Sequence, residues 1–167
     1  GQKAVVVIDR WPSPQQNPEG HITRVLGYPD DPGVDILSIV HGFSLDPNFP
    51  EAVEREAQGL GKGIPPTEYR RRLDCREWLI FTIDPADAKD FDDAVSLRTL
   101  ANGHLELGVH IADVSHYVAP EGAIDWEAES RGTSVYLVDR VIPMLPEHLS
   151  NNLCSLVRVK TSFATRY

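Results

Sequence analysis

The chain has 167 residues, 41% of them hydrophobic and 25% charged, enough apolar material for a buried core and too much for a disordered segment. No apolar run approaches the roughly 18 residues of a membrane span, and the short apolar start, 4–8, is closed by Asp9 and Arg10, so neither a span nor a secretory signal is expected and the cytoplasm is the expected compartment. The net charge of −9 argues against a surface built to hold phosphates, unless the acidic residues are local and neutralised by a metal ion.

In chain order, the Val-rich run 4–8 reads as a strand, and 10–20, with Pro12, Pro14, Pro18 and Gly20, as a loop. Alternation over 20–27 predicts a second strand, closed by a Pro/Asp/Gly turn at 28–33. Segment 34–43 reads as a helix with Pro32 near its start, and 51–58 as a second helix behind Pro50. A linker covers 59–66, and Thr67 is expected to cap a short basic helix ending at Arg72. The run Trp78-Leu79-Ile80-Phe81-Thr82-Ile83 reads as one continuous buried strand. Segments 94–100 and 104–112 read as two strands joined by Ala101-Asn102-Gly103, since Asn-Gly is a strong hairpin signal. A helix is expected at 124–130, a strand at 133–138 and a helical turn at 146–149. Cys75 lies among charges and Cys154 in an apolar run, and both are expected to be free thiols.

The segment that carries chemistry is Ile83-Asp84-Pro85-Ala86-Asp87-Ala88-Lys89-Asp90-Phe91-Asp92-Asp93-Ala94. Carboxylates this close repel unless they are protonated, solvated or bridged by cations. Hard oxygen donors suit Mg²⁺ or Mn²⁺, and such sites perform phosphoryl transfer. On residue type alone, any one of these aspartates reads equally well as a turn-forming residue, and the segment as a whole reads more readily as a solvated acidic loop than as a metal site. An EF-hand fails on spacing. Counted from Asp84, positions three and five are Ala86 and Ala88; counted from Asp90, position five is Ala94. An aspartyl-phosphate enzyme fails because Ala86 stands two residues after Asp84. No phosphate-binding P-loop, zinc-binding His-Glu-x-x-His or Gly-x-Ser-x-Gly elbow occurs.

Four ordered blocks carry a resemblance. The first is Thr82-Ile83-Asp84 with Asp87-Ala88-Lys89-Asp90-Phe91-Asp92-Asp93-Ala94, and the second is His110-Ile111-Ala112-Asp113-Val114-Ser115-His116-Tyr117-Val118. Arg131-Gly132-Thr133-Ser134-Val135-Tyr136 follows. Last come Val141-Ile142-Pro143-Met144-Leu145-Pro146 and Leu149-Ser150-Asn151-Asn152-Leu153-Cys154-Ser155-Leu156. Together they resemble the RNB exoribonucleases, the family of ribonucleases R and II, with the acidic block in the ribonuclease R pattern. Upstream, Asn17-Pro18-Glu19-Gly20 and Asp31-Pro32-Gly33-Val34-Asp35-Ile36-Leu37 resemble that family's junction between a cold-shock domain and the catalytic domain.

The resemblance implies a mixed α/β (α+β) chain. Residues 1–30 would be the last strands of an OB-fold cold-shock barrel, 31–77 a helical entry segment, and 78–167 the N-terminal part of an RNB catalytic domain. It implies processive 3′→5′ hydrolysis of single-stranded or structured RNA to nucleoside 5′-monophosphates with Mg²⁺, Mn²⁺ being an alternative. Asp84, Asp90, Asp92 and Asp93 match the family's catalytic, metal-binding aspartates. By that match Asp84 and Asp93 are the metal ligands, Asp90 supports the same or a second ion, and Asp92 positions the attacking water. Asp87 falls where the family varies and reads as a loop residue. Tyr136 matches the tyrosine that packs on the terminal nucleotide, although residue type alone makes it a core tyrosine. His110, Asp113 and His116 read as packed residues near the site, and the run Arg70-Arg71-Arg72 either as an RNA contact or as a solvated helix face. The family's later arginine, later glutamate and S1 domain have no counterpart in these residues, so the chain is expected to be a fragment whose partners are an RNA 3′ end and the rest of that domain. The alternative reading is a catalytically incompetent RNB-derived fragment that binds RNA or metal.

Overall fold

The computed structural model describes every residue except 62–63, 87, 89, 158–161, 163 and 167, together with the side chains of 165 and 166. The expected loop residue Asp87 therefore lies outside the described residues. The fold is mixed α/β, and the chain divides into two compact units: residues 1–48 with 136–142, and residues 49–135 with 143–167. Among the described residues no helix is long and apolar enough to cross a membrane.

In the first unit, strands β1 (Lys3–Arg10) and β2 (Glu19–Gly27) form an antiparallel pair with several register shifts. Helix α1 (Val34–Gly42) packs on this pair. The turn into α1 requires glycine at position 27. Its φ is +130°, and a Cβ there would stand 2.8 Å from the Val34 side chain.

The second unit opens with α2 (Glu51–Gly59) behind Pro50 and α3 (Pro66–Arg71) behind Pro65. The expected Thr67 cap is corrected: α3 starts on Pro66, whose missing N–H and preset φ suit a first helical position, and no side chain caps it. A four-stranded sheet follows in the order β3 (Ile80–Phe81), β4 (Asp93–Thr99), β5 (Leu105–Ala112), β8 (Ala164–Arg166), and all its pairings are antiparallel. The Asn102–Gly103 signal produces the β4–β5 hairpin, with Gly103 at φ +82°.

The continuous strand expected at 78–83 is also corrected. Only Ile80 and Phe81 pair with β4, while Leu79 is 72% and Ile83 84% exposed. Trp78 leaves the ladder through a turn, its N–H donating to the Cys75 carbonyl. Its ring lies under the Arg98 guanidinium at 3.7 Å and against the edge of His110.

Helix α4 (Ala123–Arg131) packs on α2. The core joins Val53 and Ala57 of α2, Ala112 of β5 and Ile124 of α4 to Leu145, Leu149, Leu153 and Cys154. The strand expected at 133–138 reduces to β6 (Val135–Tyr136), paired with β7 (Val141–Ile142), because the chain reverses where Leu137 N–H bonds the Arg140 carbonyl. The helical turn expected at 146–149 is present, with Ser150 N–H donating to the Pro146 carbonyl, and it continues as a π-helical turn over Leu149–Leu153. Both cysteines are free, Cys154 in the core and Cys75 half-buried.

Candidate active site at the acidic segment

The acidic segment connects β3 to β4. After Asp84 the chain turns, with Ala88 N–H donating to the Pro85 carbonyl, and Asp93 then opens β4 opposite Ile111. Asp84 and Asp90 are half-buried, whereas Asp92 and Asp93 are exposed. Among the described residues, Asp84 Oδ2 is buried and has no hydrogen-bond partner. A buried acceptor left unsatisfied is costly, so a charged oxygen in that state fits a cation better than a solvated loop does. The donor set is all carboxylate oxygen, the chemistry of a hard divalent ion. Among the described residues, however, no three Asp, Glu, His or Cys side chains stand close enough together to hold a metal ion.

Backbone hydrogen bonds hold this segment from two directions. Ala112 N–H, at the end of β5, donates to the Asp92 carbonyl at 2.8 Å. Phe91 N–H donates to Ser155 Oγ at 3.0 Å, and the Phe91 carbonyl accepts from Leu156 N–H at 2.6 Å.

His110 is buried on β5 and bonded through Nε2 to Ser96 Oγ at 2.8 Å. Arg72 sits between two acids: its Nε donates to Glu68 at 2.9 Å and its Nη1 to Asp113 at 2.7 Å, with Nη2 3.4 Å from His116 Nδ1. In the basic run, Arg71 also pairs with Glu68 at 2.7 Å, on the exposed side of the helix. A cleft of about 980 Å³ lies beside them, lined among others by Arg72, Arg76, Trp78 and His110. The acidic segment borders it through Thr82 and Phe91, and none of the four aspartates lines it. Tyr136 is not a core residue: it is 66% exposed on β6, in the unit of residues 1–48 and 136–142.

Asp84, Asp90 and Asp92 thus lie on the connection from β3 to β4 and Asp93 on the first residue of β4, without gathering into a cluster that could hold a metal ion among the described residues. Sequence reasoning missed what holds them there. Ser155 and Leu156 belong to the last resembling block, but nothing local to that block shows that it pairs with Phe91.

The family model of the RNB domain matches residues 72–166, and that of the cold shock domain matches residues 1–50. The chain belongs to the RNB family. It is 51% identical over 161 residues to ribonuclease R of Thermotoga maritima, a match covering 95% of this chain and 23% of that protein. Identity to ribonuclease R 1 of Lactococcus lactis is 47% over 158 residues, covering 92% of this chain and 19% of the relative. Among solved structures, Mycoplasma genitalium RNase R in complex with double-stranded RNA superposes with a TM-score of 0.88 at 34% identity, covering 99% of this chain and 29% of that one. The RNB chain therefore spans less than a quarter of the length of these two ribonuclease R relatives.

Proposed function

We propose that this chain supplies the acidic part of the catalytic site of a 3′→5′ exoribonuclease that degrades single-stranded or structured RNA to nucleoside 5′-monophosphates. The observation that carries the reading is the RNB match over 72–166, which contains the whole acidic segment and, within it, the buried unpartnered oxygen of Asp84. A divalent ion, Mg²⁺ or in its place Mn²⁺, would have to draw Asp84, Asp90, Asp92 and Asp93 together around it, since among the described residues no three of them stand close enough to hold it as they are. Bound there, such an ion supplies an acidified water and charge neutralisation at the scissile phosphate. Asp84 and Asp93 act as ligands, Asp90 supports them, and Asp92 accepts the hydrogen bond that orients the attacking water.

Tyr136, exposed on its hairpin, offers a ring on which any base can stack, and this suits degradation without sequence preference. The solved RNase R with bound RNA supports RNA as the substrate class. In this reading residues 1–30 belong to an RNA-binding β-module, 31–77 form the entry segment and 78–167 begin the catalytic domain. The rest of that domain and an S1 domain supply the remaining contacts, and the cytoplasm is the working compartment.

The test is release of labelled mononucleotides from a uniformly labelled single strand with Mg²⁺ and with a chelator. Asp92→Asn is expected to keep RNA binding and to lower turnover by about 10²–10⁴-fold, the range of general acid–base contributions. Turnover at the wild-type level in that variant, or in chelator, sinks the proposal.

A further inference from the structure

Phe91 stands between Asp90 and Asp92, and both of its backbone groups are bonded to one stretch 64 residues further along the chain. Its N–H donates to the Ser155 hydroxyl, and its carbonyl accepts from the N–H of Leu156. Ser155 is fully buried, at 0% exposure, and its own carbonyl accepts from Ser162 Oγ at 3.0 Å. Serine hydroxyls usually bond backbone within four residues, where they cap or turn the local chain. This one is spent instead on a remote segment, at the residue between two of the four aspartates. With Ala112 N–H on the Asp92 carbonyl, consecutive peptide units of the acidic segment are fixed by partners from β5 and from the stretch after the π-helical turn.

We propose that Ser155 is a positioning residue for the acidic segment. Its hydroxyl sets the place of the Phe91 amide, and through it the places of the Asp90 and Asp92 carboxylates on either side. Ser155 touches neither RNA nor metal and acts only through this backbone. The purpose of the placement rests on the cation site proposed above, but the placement itself can be measured without it, which keeps the two claims separable. Catalytic constellations tolerate displacements well under 1 Å, so one buried hydrogen bond at this point has leverage on the whole carboxylate set.

The experiment compares wild type with Ser155→Ala in the full 167-residue chain. It reads amide hydrogen exchange of Phe91 against that of Leu149 in the core, and Mn²⁺ affinity by electron paramagnetic resonance. In the alanine variant Phe91 is expected to exchange about tenfold faster while Leu149 keeps its protection, and Mn²⁺ affinity is expected to drop about tenfold, the worth of one lost hydrogen bond. Unchanged Phe91 exchange, or equal acceleration at Phe91 and Leu149, overturns the positioning role. If the alanine variant does not fold, Ser155→Cys, of similar volume but with a poor acceptor, is judged by the same outcomes. Absence of Mn²⁺ binding in wild type would overturn the cation site, and Phe91 exchange would still decide whether Ser155 holds the segment.

Discussion

At the scale of single residues, the most heavily engaged side chain is Arg72, which ties α3 to the end of β5 through Glu68 and Asp113. Burial pushes the Asp113 carboxyl up, but the hydrogen bonds from Arg72 and Ser115 and the nearby Arg72 charge outweigh it, leaving Asp113 below its ordinary value of 3.8. Glu68 is lowered too, by its Arg72 hydrogen bond first. A carboxyl lowered on folding stabilises the protein above its unfolded pKa and loses that contribution as pH falls through the folded one. Urea midpoints are therefore expected to decline as pH falls below the ordinary carboxylate range, and Asp113→Asn is expected to flatten that acid limb. Arg72→Ala is expected to lower the melting midpoint more than the double variant Arg72→Ala/Asp113→Asn does, because the single change leaves a largely buried carboxylate without its cation. The basic run was legible in the sequence, but its role was not: Asp113 lies far along the chain from Arg72, and only the folded sheet brings the two together. The same holds for the acidic segment. Its four aspartates could be picked out from their crowding and their family pattern, whereas Ser155, although inside a resembling block, has nothing near it in sequence that points to Phe91.

At the scale of elements, α4 starts without a cap of its own. Gly122 precedes it, and the N–H groups of Ala123 and Ile124, which lack a partner within the helix, instead donate to Glu56 Oε2 of α2, at 2.7 and 3.4 Å. One carboxylate thus serves as cap and as charge partner for the positive helix end, and it also fixes the contact between the two helices. Glu56→Ala is expected to cost about 1 kcal/mol in urea denaturation, the usual worth of a cap, and Glu56→Gln less, since its amide oxygen still accepts. Gly122 has its own constraint: a Cβ there would meet Glu56 Oε1 at 2.7 Å, so Gly122→Ala should disturb the same cap. Leu149, fully buried in the core, is expected to cost about 2–5 kcal/mol on truncation to alanine. The long elements were legible because prolines and glycines punctuate them: Pro50 before α2, Gly132 after α4, Asn102–Gly103 within the hairpin. The short strands were not. An apolar run such as 78–83 says nothing about which of its residues find a pairing partner, and tertiary contacts of Trp78 end the ladder early.

At the scale of the molecule, one face of the sheet in the second unit is apolar and open. Cross-strand neighbours Leu97 and Leu107, with Leu105, Ile111 and Phe81, alternate with the buried Ala94, Ser96 and His110 of the opposite face. Alternation of this kind normally marks hydrophobic residues turned inward, and here they are the exposed ones. A patch of that character should bind a hydrophobic dye in the native state. Leu105→Glu/Leu107→Glu is expected to abolish most of that fluorescence with little change in melting midpoint; undiminished fluorescence would mean that the dye binds elsewhere. The two thiols of this unit have a practical consequence as well. Cys75 is within reach of an alkylating reagent, while Cys154 is sealed among Leu149, Leu153 and Tyr117. The molecule therefore carries its own stopwatch: the lag between the first and second mass increments under a thiol reagent reads how often the interior breathes, with no label engineered in.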